Sequence, residues 1–180
     1  MRLFIAIPLT PEIQKALARK QERLEPLILG AKWVEPCGIH LTLKFLGETD
    51  ERRVEDITEC CRKAVEGKPS FLISLGGVGG FPNFIMPRVI WVGIEEGKEK
   101  VSEIARKLED ELHKIGFPKK TRPFHPHLTL ARIKMPKRVL LQDSEPCSER
   151  MRVSSIQLIQ STLTPKGAMY RVLKEIMLED

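Results

Sequence analysis

The 180-residue chain has no run of eighteen apolar residues, so nothing in it reads as a membrane-spanning helix. Aromatic residues are scarce, at 6%, with a single tyrosine, and the four cysteines (Cys37, Cys60, Cys61, Cys147) form no CxxC pair. That argues against a secreted disulfide scaffold and favours buried thiols in a reducing compartment. The opening MRLFIAIPLTPE meets Pro8, Pro11 and Glu12 too soon for a signal peptide and reads as a first strand, so a cytoplasmic location is expected. Also missing are a GxxxxGK[ST] phosphate loop, a GxSxG elbow, a GxGxxG turn and a KxDG adenylation motif. Their absence counts against the common nucleotide-binding, serine-hydrolase and covalent-ligase chemistries.

Acidic residues are absent from one long window. Formal net charge is +6, and from Lys119 to Arg138 there are seven basic residues and no acid: Lys119, Lys120, Arg122, Arg132, Lys134, Lys137 and Arg138. A basic surface is common, but this window also holds histidines and threonines, which points to phosphate or RNA as a partner.

What is present is a repeated string. HLTL occurs in GIHLTLKFLG and again in FHPHLTLARI, with the two histidines about half the chain apart. Side chains alternate faces along a strand, so His40 and Thr42 share one face, and Leu41 and Leu43 turn into a core. His127 and Thr129 repeat the arrangement over Leu128 and Leu130.

The surrounding order repeats as well. RLFIAIP is echoed by RVIWVGI, and VSSIQLIQSTL stands where SFLISLGGV stood. Helices are expected after Thr10, with Pro11 in the first turn and Ile13, Ala16, Leu17 and Leu24 as its stripe. Others are expected from GETDE to about Glu66, with Val54, Ile57, Cys61 and Val65 buried, and over KEKVSEIARKLEDELHKIG, stopped by Gly116. KWVE reads as a further strand, and a short helix over KRVLLQDSEPC is weakly marked.

GGVGGFPNFIMP, at 76–87, reads as the connection, its glycines as a flexible turn. The expected class is α+β: a single bilobal domain over 1–180, internally duplicated, with halves about 1–80 and 87–165 and a C-terminal strand over 168–178. Two mainly antiparallel sheets would face a central cleft with helices outside. SFLISLGGV would complete the first lobe, and the two HLTL faces would meet across the cleft.

Two histidines on opposite sides of a phosphate can serve as acid and base near neutral pH, and threonine hydroxyls can donate to its non-bridging oxygens. His125 and His127 form an HxH pair without a third metal ligand nearby, so no metal and no cofactor are expected. His113 reads as a surface residue near a helix C-terminus. Trp33 and Phe45 could stack a base or belong to the core.

HLTLKFLG and FHPHLTLAR, with KWV before the first and STLTPKGAMYRV near the end, resemble the 2H phosphoesterase superfamily along essentially the whole chain. The resemblance is to its RNA 2',3'-cyclic phosphodiesterase or 2'-5' RNA ligase branch. It implies catalytic histidines at His40 and His127, phosphate-binding threonines at Thr42 and Thr129, and an arginine near the phosphate at Arg132. It also implies RNA or a nucleotide with a 2',3'-cyclic phosphate end as substrate, tRNA halves among the candidates, and a monomer. The resemblance, with the cations around His127 and with Glu35 and Glu48 nearer His40, assigns His127 as base and His40 as acid. Two other classes stay open at this point: an RNA-end-binding protein without turnover, and a nucleotide-dependent RNA ligase.

Overall fold

The Thr10 side chain accepts a hydrogen bond from the Ile13 amide at 3.4 Å and starts helix α1 (Pro11–Leu24), whose Ile13, Ala16, Leu17 and Leu24 are buried as their spacing requires. In the computed structural model, residues 1–135, 137–139 and 147–180 are described. Most of the weakly marked helix over KRVLLQDSEPC lies outside them.

Among the described residues the other α-helices are α2 (Val54–Val65) and α3 (Lys98–Lys114). Gly116, at φ +94°, follows the end of α3, a left-handed conformation that favours glycine. In α2, Ile57, Cys61 and Val65 are buried while Val54 is half-buried. Cys60 is also buried there, whereas Cys37 is exposed and Cys147 half-buried, so the expectation of buried thiols holds for two of the four. Among the described residues no helix is long and apolar enough to cross a membrane.

Among the described residues, nine strands build two antiparallel sheets. They are β1 (Arg2–Ile7), β2 (Lys32–Trp33), β3 (Leu41–Glu48), β4 (Phe71–Phe81), β5 (Val89–Ile94), β6 (His127–Arg132), β7 (Arg150–Val153), β8 (Ser155–Thr164) and β9 (Gly167–Met177). One sheet has the order β3-β1-β8-β9, the other β2-β6-β5-β4-β7. The α+β architecture with two antiparallel sheets is the one expected, and β9, Gly167–Met177, lies within one residue of the strand expected over 168–178.

Two expectations are corrected. SFLISLGGV does not complete the first lobe, because β4 pairs with β5 and β7 in the second sheet, and β8 from the second half pairs with β1 in the first. Each half thus gives its last strand to the other's sheet. Nor are the glycines at 76–80 a flexible turn: they lie inside β4. The Trp91 ring lies so close to Gly79 that a Cβ there would sit 2.3 Å from it, and at Gly80 a Cβ would sit 2.6 Å from Pro87. Glycine here marks close packing rather than chain reversal. KWVE is also shorter than expected, with two residues in β2.

Candidate active site

The first HLTL motif lies on β3, at the edge of the first sheet, with His40 immediately before the strand, and the second on β6, one strand in from the edge of the second, and these strands approach each other. Leu41, Leu43, Leu128 and Leu130 are at most 1% exposed, and His40, Thr42, His127 and Thr129 are half-buried on the opposite faces. Each buried leucine is worth about 1.5–3 kcal/mol. A one-residue register slip would expose them all and bury the polar groups, so the face presented by His and Thr is fixed by the core.

A β-bulge sits at the same place in both motifs. Opposite β1, Ala6 pairs with Thr42 and Ile5 with Lys44, leaving Leu43 unopposed. Opposite β5, Trp91 pairs with Thr129 and Ile90 with Ala131, leaving Leu130 unopposed. The extra residue reverses the alternation beyond it, so Lys44 and Ala131 turn inward, while Phe45 and Arg132 return to the face of the histidine and threonine. Simple alternation would have sent Arg132 to the far side.

A cleft of about 380 Å³ is lined by His40, Thr42, Thr129 and Arg132, together with Phe45 and Tyr170. Four of the five expected site residues therefore share it. His127 is not among its lining side chains: it stands one pleat beyond Thr129 on the same face of β6.

Each imidazole is held in the same way. His40 Nδ1 lies 2.9 Å from the Gly38 carbonyl oxygen and His127 Nδ1 lies 2.6 Å from that of His125. A carbonyl only accepts, so Nδ1 carries the proton in both rings, which leaves each Nε2 open to take or give another. Rings complete the setting. Phe4 and Tyr170 meet His40 edge-on at 5.3 and 4.7 Å, and Phe81 meets His127 at 5.0 Å.

Burial, the larger cause, holds the His40 pKa below its ordinary value, and the Gly38 carbonyl opposes it. Burial likewise lowers that of His127; the His125 carbonyl opposes it, while the positive charges of His125, Lys120 and Arg132 add to it. The cationic setting expected at His127 is present. The expected carboxylate support at His40 is not, since neither Glu35 nor Glu48 is among the groups that shift it. A strand's alternation makes sequence distance a poor guide to which charges meet.

The remaining candidates fall elsewhere. His113 is exposed in the last turn of α3, with Nδ1 3.2 Å from the Phe117 carbonyl oxygen. The His125 ring is exposed and packs on Trp91 at 4.8 Å, so its tie to the site is through its carbonyl. Trp33 packs against the core, and Phe45 lines the cleft with 58% of its surface exposed. Among the described residues no three His, Cys, Asp or Glu side chains come together as metal ligands. Sequence reasoning missed Phe4 and Tyr170 as walls of the His40 site. The signal for Tyr170 was its being the chain's one tyrosine, inside the TPKGAMYRV stretch.

Two antiparallel sheets that bring paired histidine–threonine strands together are the fold of a phosphoesterase. The chain belongs to the LigT-like phosphoesterase family, whose model matches it twice, over residues 7–91 and 92–170, and it is a hydrolase. It is 36% identical over 182 residues to the RNA 2',3'-cyclic phosphodiesterase of Thermotoga maritima, covering 99% of this chain and 96% of that one. The enzyme of that name from Methanothermobacter thermautotrophicus is 36% identical, covering 94% and 95%. Among solved structures, one from Thermus thermophilus superposes with a TM-score of 0.86 at 33% identity, covering 99% and 98%. Escherichia coli LigT complexed with 3'-AMP gives 0.81 at 25%, with the same coverage.

Proposed function

We propose that the chain hydrolyses the 2',3'-cyclic phosphate of RNA ends or nucleotides to a 2'-phosphomonoester, with His127 as base and His40 as acid. The observation that carries this reading is the matched pair of Nδ1–H bonds to carbonyls two residues upstream, which turns two equivalent Nε2 atoms to use. Water attacks phosphorus and gives its proton to His127 Nε2 as the P–O3' bond breaks, and O3' takes a proton from His40 Nε2. Thr42 and Thr129 donate to the non-bridging oxygens, and Arg132 balances their charge. The positive charges around His127 support the neutral imidazole that a base requires. If a ribose 5'-hydroxyl takes the place of water, the same displacement gives a 2'-5' linkage, so joining of RNA ends such as tRNA halves belongs to the same reading.

Incubation with a 2',3'-cyclic mononucleotide tests it. The proton carriers and charge stabilisers are side chains, so turnover is expected to persist in EDTA and to yield the 2'-phosphate. His40→Ala and His127→Ala should each lose on the order of a hundredfold or more in rate, while His113→Ala should not. Tight binding of phosphate-ended RNA with no product over hours would replace the enzyme with a binding protein, and an activity restored only by a metal would end the side-chain mechanism. With a substrate whose departing O3' is replaced by sulfur, His40→Ala should recover much of its rate and His127→Ala should not. The opposite rescue reverses the two roles.

A further inference from the structure

The two motifs are alike down to their bulges, yet the residues the bulges return to the site face differ. Motif two presents Arg132, and motif one presents Phe45 at the corresponding place. Over the Phe45 ring lies the ammonium of Lys120, at 6.0 Å from the ring centroid. A cation therefore stands near the position corresponding to Arg132, supplied by the segment leading into β6 rather than by β3 itself.

That segment is anchored. Lys44, turned inward by the first bulge and only 3% exposed, donates to both Glu109 carboxylate oxygens and to the Pro118 carbonyl, each at 2.8 Å. Glu109 Oε2 also accepts the Lys120 amide at 3.2 Å. One carboxylate thus holds the Lys44 ammonium and the Lys120 backbone, and among the described residues the Lys120 ammonium itself forms no ion pair. Its neighbour Lys119 is tied to Asp110 at 2.6 Å. Of the charges acting on His127, Lys120 stands ahead of Arg132, a residue that lines the cleft.

We propose that Lys120 is a substrate-contacting residue of this site, its ammonium reaching over Phe45 to pair with the non-bridging oxygens of the reacting phosphate. This rests on the phosphodiesterase reading above. Arg132 and Lys120 then flank the phosphate with one cation from each side, restoring with a point charge the symmetry that Phe45 breaks.

Steady-state kinetics of Lys120→Met, Lys120→Arg and Lys119→Met on a 2',3'-cyclic mononucleotide, as a function of pH, test this. Lys120→Met should lose about ten- to a hundredfold in kcat/KM, the range for a charge-assisted hydrogen bond, and Lys120→Arg should restore most of it. Lys119→Met should match the wild type. The groups acting on His127 are His125, Lys120 and Arg132. Removing the Lys120 charge lets the His127 pKa rise, so the acid limb of kcat/KM should move to higher pH in Lys120→Met and stay in place in Lys119→Met. A wild-type kcat/KM, an unmoved acid limb, or a loss that arginine does not repair overturns the proposal, and Lys120→Gln replaces the methionine variant if that does not fold. A wild-type protein without turnover fails the phosphodiesterase reading instead. Lys120 is then judged by binding of a 2'-nucleotide, for which a Kd about tenfold weaker in Lys120→Met supports the contact and an equal Kd overturns it.

Discussion

The two imidazoles differ less from each other than an acid and a base at work must. Each donates Nδ1–H to a carbonyl two residues upstream, and each is held below the ordinary histidine pKa of 6.5, chiefly by burial. The base must be neutral and the acid protonated, so the free enzyme is competent only where both conditions overlap. With both values lowered, kcat/KM should peak below pH 6.5 and fall on either side. A bound phosphate anion favours both protonated rings, so the limbs of the kcat profile should lie at higher pH than those of kcat/KM. A kcat/KM that stays level up to about pH 9 would contradict the assignment of an imidazolium acid. The four polar side chains were legible in the sequence because a period of two is written in HLTL itself. Their second partners were not, since a carbonyl at Gly38 or His125 belongs to every residue and leaves no mark in composition.

The bulges belong to the element scale, and they are where the sequence was silent. HLTLAR contains no glycine or proline to announce an extra residue at Leu130, and the resemblance pointed to Arg132 without saying how it could reach the face of Thr129. What holds the bulge is remote in sequence. The Leu130 carbonyl accepts from the Val34 amide at 2.8 Å and from the buried Gln21 side chain of α1 at 3.1 Å, and the same Gln21 amide donates to the Val34 carbonyl at 2.6 Å. Gln21→Leu should therefore cost about 1–3 kcal/mol in stability, because the Val34 carbonyl loses its side-chain donor and the Leu130 carbonyl loses one of two. It should also lower kcat/KM by loosening the turn that aims Arg132, although Gln21 does not line the cleft. Denaturant unfolding and steady-state kinetics on the same variant decide this. Unchanged stability would show that the bulge holds itself. The glycines of β4 are the converse case: Gly79 reads as a turn because a glycine that makes room for an indole looks the same in sequence as one that reverses the chain.

At the scale of the whole molecule, the repeat was legible and the exchange of strands was not. RLFIAIP and RVIWVGI, like SFLISLGGV and VSSIQLIQSTL, mark equivalent strands, but equivalence does not say which sheet a strand enters. Here β8 lies between β1 and β9, and β4 lies between β5 and β7, so each sheet has a central strand from the other half. The Lys44–Glu109 pair ties β3 to α3 in the same sense, from the first half to the second. Neither sheet can close from one half, and the HLTL strands come together only when both sheets have formed. Separate chains over 1–86 and 87–180 should therefore each fail to unfold cooperatively, with amides of β1 and β4 in the first exchanging as in an unstructured chain. In the intact protein those strands should be among the last to exchange, since β1 holds partners on both edges and Ile5 and Ile73 are fully buried. A first fragment that keeps β1 protected and melts in a single transition would mean that the halves are independent lobes, and that the cleft forms by docking rather than by folding.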